Sequence, residues 1–204
     1  MSNPDMLNYF DSPNKSRSGN DDKLVIGGSI NANGDEFEAE DFRRSLAFNY
    51  GLWDYSDLTT ATTPITVLAD TQTLLTNDGQ GAFSTSEYGI IGVDVYNENT
   101  NAFNFSDLSL GDSVGIRIDC TVNTNNNNEE LLSYMTLGSG LSSYNIPWTS
   151  SIQYKTAGSH RLTSYNKIYI RDEDTKNSPA QVYIQSTGNC TVTVHGWFLE
   201  VFKR

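Results

Sequence analysis

The segment from Val114 to Val122 constrains the fold more than any other part of the chain. Val114, Ile116, Ile118, Cys120 and Val122 are apolar, and Gly115, Arg117, Asp119 and Thr121 alternate with them. Successive side chains of an extended strand leave opposite faces of a sheet, so the pattern predicts a strand with one face on a core. Gln181 to Ser186 repeats it, with Val182 and Ile184 on one face. The last segment does so with a fault. Cys190, Val192 and Val194 share a face, whereas Trp197, Leu199 and Val201 have the opposite parity. The phase slips across His195-Gly196, where glycine tolerates a β-bulge.

Other short apolar stretches follow the same logic. Ile65 to Ala69, Gln72 to Leu75, Gly89 to Tyr96, Leu131 to Leu137, Ser151 to Ala157 and Tyr165 to Arg171 are separated by turn signals such as Asn77-Asp78-Gly79 and Leu110-Gly111-Asp112. The sequence predicts about eight to ten strands after residue 64 with no helix between them, which excludes βαβ units and leaves an antiparallel sandwich or barrel. The run Asn123 to Asn128 reads as an exposed loop.

The N-terminal third reads differently. Residues 1–23 show no period, and their apolar residues are grouped as Met6, Leu7, Tyr9 and Phe10. The segment is either a frayed terminus or a tether that orders on a partner through this group. Residues 24–63 read as a linker, with a short strand over Leu24 to Ile30 and a helix over Asp35 to Phe48. Phe37, Phe42, Leu46 and Tyr50 recur there at helical spacing. Trp53 and Tyr55 follow as packing residues. The sandwich is expected over 64–204.

Charge and composition exclude several functions. The net charge of −12 leaves no concentration of positive charge for a nucleic-acid backbone or an anionic membrane surface. No apolar run approaches the ~20 residues that span a bilayer. The first ten residues do not have the form of a signal peptide, which predicts synthesis in a cytoplasm. Eleven Tyr and nine Phe supply apolar bulk to a chain whose surface is rich in Asn, Ser and Thr. Cys120 and Cys190 both fall on apolar strand faces and read as buried free thiols rather than as a disulfide.

The sequence holds few residues arranged for chemistry. His160 and His195 are the two histidines, and no glycine-flanked serine elbow accompanies them. Ser164 to Lys167 matches Ser-x-x-Lys, a string that arises readily in a Ser-rich chain. Asp172, Glu173 and Asp174 lack the ligand spacing of a calcium loop and read as a solvated loop. No cofactor or metal is implied. Tyr144, Trp148 and Tyr154 could form an aromatic platform for sugars, with Trp148 the best single candidate, although a loop tryptophan more often packs over the end of a sandwich.

From Pro64 to Arg204 the chain resembles the TNF/C1q-like jelly rolls of bacteriophage virion proteins. The resemblance is carried by Leu108-Ser-Leu-Gly-Asp-Ser-Val opening a strand, the Asn-rich loop after it, and Cys190-Thr-Val-Thr-Val-His-Gly-Trp-Phe-Leu-Glu-Val near the end. It implies an all-β antiparallel sandwich, which the extended arm and the one short helix read above precede. It also implies a non-enzymatic role outside a capsid, of the decoration, cement or head-fibre type, with the shell protein as partner. Such proteins are commonly homotrimers. Phe198 and Phe202, apolar on the face opposite Trp197, Leu199 and Val201, are then the candidate trimer interface, and Met6, Leu7, Tyr9 and Phe10 the capsid anchor. The alternative is a carbohydrate- or receptor-binding module of a fibre or tail, with a host-surface glycan as ligand.

Overall fold

A computed structural model describes residues 49–139, 143–149 and 152–204. The expected arm, the strand over 24–30 and the helix over 35–48 lie outside the described residues, and so do Met6, Leu7, Tyr9 and Phe10.

The described chain is an antiparallel jelly-roll sandwich. Its strands are β1 (Tyr50–Ser56), β2 (Ile65–Val67), β3 (Thr73–Leu74), β4 (Tyr96–Asn97), β5 (Ala102–Phe103), β6 (Ser113–Thr124), β7 (Glu129–Leu137), β8 (Tyr144–Pro147), β9 (Ile152–Tyr154), β10 (Gly158–Tyr169), β11 (Gln181–Ser186) and β12 (Cys190–Phe202). One sheet runs β1-β12-β6-β10, with β2 also on β12. The other runs β3-β11-β7-β8, with β9 also on β7, and β4 pairs with β5 as a small separate hairpin. All pairings between these strands are antiparallel.

The alternation read from the sequence is the alternation observed. Val114, Ile116, Ile118, Cys120 and Val122 are all buried, as are Val182 and Ile184. On β12 the register to β6 shifts between Val194 and Gly196. The bulge returns Trp197, Leu199 and Val201 to the face that Cys190, Val192 and Val194 occupy, and all six are buried. Leu131, Met135 and Leu137 face them from the second sheet. Between the sheets, Tyr55, Tyr96, Phe103 and Trp197 form a chain of rings with successive centroids 5.1, 5.0 and 6.4 Å apart.

Four expectations change. The sandwich begins in the expected linker: Tyr50–Ser56 pairs along β12 from Phe202 to Gly196, so Tyr50 is a strand residue and not part of a helix. The 89–96 stretch is mostly loop; Tyr88 and Thr85 carbonyls accept the amides of Leu52 and Asp54 and cover the outer edge of β1. The Asn-rich run contributes Asn123 and Thr124 to β6 before turning. Among the described residues two one-turn helices occur, α1 (Thr59–Thr62) and α2 (Glu173–Asn177). Asp172 caps α2 by accepting the Thr175 amide at 2.8 Å, which is how the acidic cluster becomes a helix start.

Candidate functional site: the outer face of the first sheet

Strand alternation that buries one face of β1, β12, β6 and β10 leaves a second face outward. Register places these outward residues in rows. Asp54, Phe198, Arg117 and Tyr165 form one row, Leu52, Glu200, Gly115 and Lys167 the next, and Tyr50, Phe202, Ser113 and Tyr169 the third. Five aromatic residues therefore share one surface. Tyr165 and Tyr169 are 49% and 59% exposed, and Tyr50 and Phe202 are each 38% exposed.

The rings are organised by their neighbours. Tyr165 lies over Gly115, where a Cβ would fall within contact of its hydroxyl and ring; the absence of a side chain on β6 lets the β10 ring lie down. The Lys167 ammonium sits 4.3 Å from the Phe202 ring centroid, and the Arg117 guanidinium carbon 5.1 Å from that of Phe198. Tyr50 packs on Phe202 with centroids 4.6 Å apart. Arg117 also pairs with Asp119 at 3.1 Å. Partial burial raises the Tyr50 and Tyr165 phenols above their usual range, and the Glu200 charge adds to it. Burial likewise raises Asp54, against the lowering effect of Arg117.

Phe198 and Phe202 thus lie together on this face, with Phe198 half-buried under Arg117. The sequence singled out these two but missed Tyr50, Tyr165 and Tyr169. The outward parity of β10, with Arg161, Thr163, Tyr165, Lys167 and Tyr169, was the signal that could have found the last two.

The aromatic sugar platform is not assembled. Trp148 is only 4% exposed, and its carbonyl is held by Ser164 Oγ at 2.6 Å and Asn166 Nδ2 at 3.2 Å. Tyr144 and Tyr154 pair with Leu137 and Glu129, the opposite ends of β7. Tyr154 stacks on His160 with centroids 4.2 Å apart.

Other candidate chemistry is accounted for by structure. His195 projects from the bulge, and its Nε2 lies 2.8 Å from Thr121 Oγ1. Burial and Arg161 lower its pKa. No carboxylate hydrogen-bonds to this ring among the described residues. Asp174 accepts from the amide and hydroxyl of Ser139 at 3.0 and 2.7 Å, anchoring the turn after β7 to α2. No group of three or more His, Cys, Asp or Glu residues that could hold a metal ion occurs among the described residues. Among those residues, no helix is long and apolar enough to cross a membrane.

Neither a family model nor a curated protein matches this chain. It is similar to solved structures at low identity. A structure of infectious bursal disease virus, Gt strain, aligns over 90% of this chain and 38% of its own, at 9% identity and TM-score 0.42. Eiger TNF from S. frugiperda aligns over 76% of this chain and 93% of its own, at 6% identity and TM-score 0.44. The CBM22-1 xylan-binding domain of Paenibacillus barcinonensis Xyn10C aligns over 74% and 94%, at 10% identity and TM-score 0.38. This chain therefore spans little more than a third of the viral chain it matches. The class defined by the strand order itself is an antiparallel jelly-roll sandwich.

Proposed function

We propose that this chain is a non-enzymatic structural protein on the outside of a phage virion, a homotrimer joined through the outer face of the β1-β12-β6-β10 sheet and docked to the shell by its N-terminal arm. The observation that carries the reading is the composition of that face. Five aromatic residues are gathered there, and its charges balance, with Asp54, Asp119 and Glu200 against Arg117, Arg161 and Lys167. The whole chain has a net charge of −12, so copies repel one another on average. A face of zero net charge is where they approach at least electrostatic cost. Large aromatic surfaces gain most by leaving water, and closed cyclic symmetry is the usual outcome for identical subunits.

The charges on the face are also sorted. Lys167 and Arg161 lie on β10, and Asp54 and Glu200 on β1 and β12. The β10 side of one copy complements the β1 side of the next, which suits a head-to-tail ring. The phage setting and the docking role of Met6, Leu7, Tyr9 and Phe10 rest on the sequence resemblance and on the grouping of those apolar residues.

Light scattering on the full chain tests the assembly: the expected mass is three times the 22.6 kDa chain, falling to one chain in Tyr169→Glu/Phe202→Asp. A monomeric wild type at micromolar concentration overturns it. Co-sedimentation with capsids tests the docking, with loss expected for Leu7→Ser/Phe10→Ser and retention for the wild type.

A further inference from the structure

The opposite sheet carries a second surface of different chemistry. Outward residues on β11 and β7 lie in rows of Gln185 with Leu132, Tyr183 with Tyr134, and Gln181 with Thr136. Asn145 on β8 extends the last row beside Thr136. Tyr134 and Tyr183 stack at 6.0 Å with their planes 27° apart. The Tyr183 hydroxyl donates to Gln181 Oε1 at 2.8 Å. Tyr134 is 8% exposed and Tyr183 is half-buried, so the pair makes a floor rather than a projecting plate.

One end of this strip opens into a depression of about 200 Å³ lined by Asp70, Glu130, Leu132, Gln185, Ser186 and Thr187. Asp70 forms its rim in a left-handed backbone conformation, with φ 56°, which is uncommon away from glycine. The conformation is held at both ends of the residue. The Asp70 amide donates to the Ser186 carbonyl at 2.7 Å, and Gln185 Nε2 donates to the Asp70 carbonyl at 3.0 Å. A backbone fixed in this way around a cavity is what a binding rim requires.

The geometry points to a binding strip for a short neutral oligosaccharide, running from the Asp70–Gln185–Thr187 depression over the Tyr183–Tyr134 floor to Gln181, Thr136 and Asn145. An apolar floor edged by carboxylate, amide and hydroxyl groups suits the two sides of a sugar ring, apolar C–H below and hydroxyls at the edge. From residue 181 to residue 187 the strip is about 20 Å long at 3.4 Å per residue, room for several sugar units. Asp70 places a carboxylate on its rim, on a chain already at −12, so uronate or sialylated glycans are repelled and neutral ones are not. The inference uses the sheet opposite the proposed assembly face and rests on no part of that reading.

Maltotetraose, cellotetraose, tetra-N-acetylchitotetraose and tetragalacturonate, each titrated into the full chain and followed by amide NMR shifts, test it. At least one neutral tetrasaccharide is expected to shift amides of residues 130–136 and 181–187, and tetragalacturonate is expected to shift none. Tyr183→Ala and Gln185→Ala, each checked for wild-type circular dichroism, should each weaken binding by at least about tenfold, and Tyr144→Ala should leave it unchanged. If no neutral tetrasaccharide shifts these amides, or if both strip variants bind as the wild type does, the inference is overturned.

Discussion

Thr60, on a one-turn helix, closes the backbone gap that the β12 bulge leaves at Val194. The Val194 amide donates to Thr60 Oγ1 at 2.8 Å. The Thr60 hydroxyl lies 2.6 Å from Asp57 Oδ2, to which it donates. β1 pairs with β12 as far as Gly196 and β2 resumes at Val192, so α1 fills the break between two pieces of one edge. Thr60 is 2% exposed and water does not replace it. Thr60→Val keeps the shape but leaves the Val194 amide and Asp57 without this partner. It should cost about 1–3 kcal/mol, and Thr60→Ser distinctly less, measured by denaturant unfolding. A larger loss for Thr60→Ser than for Thr60→Val would mean that the methyl group matters more than the hydroxyl.

The same corner is sensitive to acid. Partial burial would raise the Asp78 carboxyl, but donors from Thr59, Gln80 and Leu58 outweigh it and bring the pKa from its usual 3.8 down to about 2. A folded pKa below the unfolded one means that the unfolded state binds the proton more readily. The contribution is therefore fully present above pH 3.8 and is lost as pH falls through about 2. Asp78→Asn should lower Tm near neutrality, with the gap to wild type closing across this window. A gap that is constant with pH would show that the carboxylate charge is not what counts.

Much of this fold was legible because a strand advertises its buried face through every second residue. β6, β11 and β12 were readable to the bulge, since Trp197 and Val194 cannot both be buried without a slipped register. The β1 strand was not readable, because Tyr50 falls at helical spacing from Leu46 and the alternation of Gly51, Trp53 and Tyr55 starts with a residue that has no side chain. β1 becomes a strand through its pairing with β12, a contact some 145 residues away in sequence. Trp148 was misleading for a related reason. Pro147 and the following polar residues look like a surface loop, but Ser164 and Asn166, on another strand, fix its carbonyl and draw the segment over the sandwich. The outer aromatic face was half legible, from the parity of Phe198 and Phe202 alone.

Glycines at two strand positions should differ sharply in tolerance. A Cβ on Gly51 would lie 2.7 Å from the Ile90 amide nitrogen, which belongs to the loop that covers the β1 edge. That backbone cannot yield without losing the loop, so Gly51→Ala should cost about 1–3 kcal/mol as overpacking. A Cβ on Gly115 meets the far end of the exposed Tyr165 side chain instead, and the ring can swing outward. Gly115→Ala should cost much less stability while exposing the outer face, so on the assembly reading it weakens the trimer more than the fold. Unfolding and light scattering on both variants separate the two effects. A larger loss of stability at Gly115 than at Gly51 would contradict this ordering.

The two cysteines provide a direct measure of how tightly the sandwich is closed. Cys120 and Cys190 are free and buried, at 0% and 1% exposure. Burial pushes the Cys120 thiol up to about 12, although Arg161 acts in the opposite sense, and burial also raises Cys190. The thiolate is the reactive form, so a native chain at pH 8 holds almost none at Cys120 and shields both sulfurs from reagent. A thiol-specific chromogenic disulfide should therefore label the folded chain only through opening of the sandwich, and both thiols should appear at once in denaturant. Thr60→Val, which loosens the β12 edge beside Val194, should speed labelling in proportion to its loss of stability if opening is global. Rapid labelling of the wild type in native buffer would show that one end of the sandwich stands open to solvent.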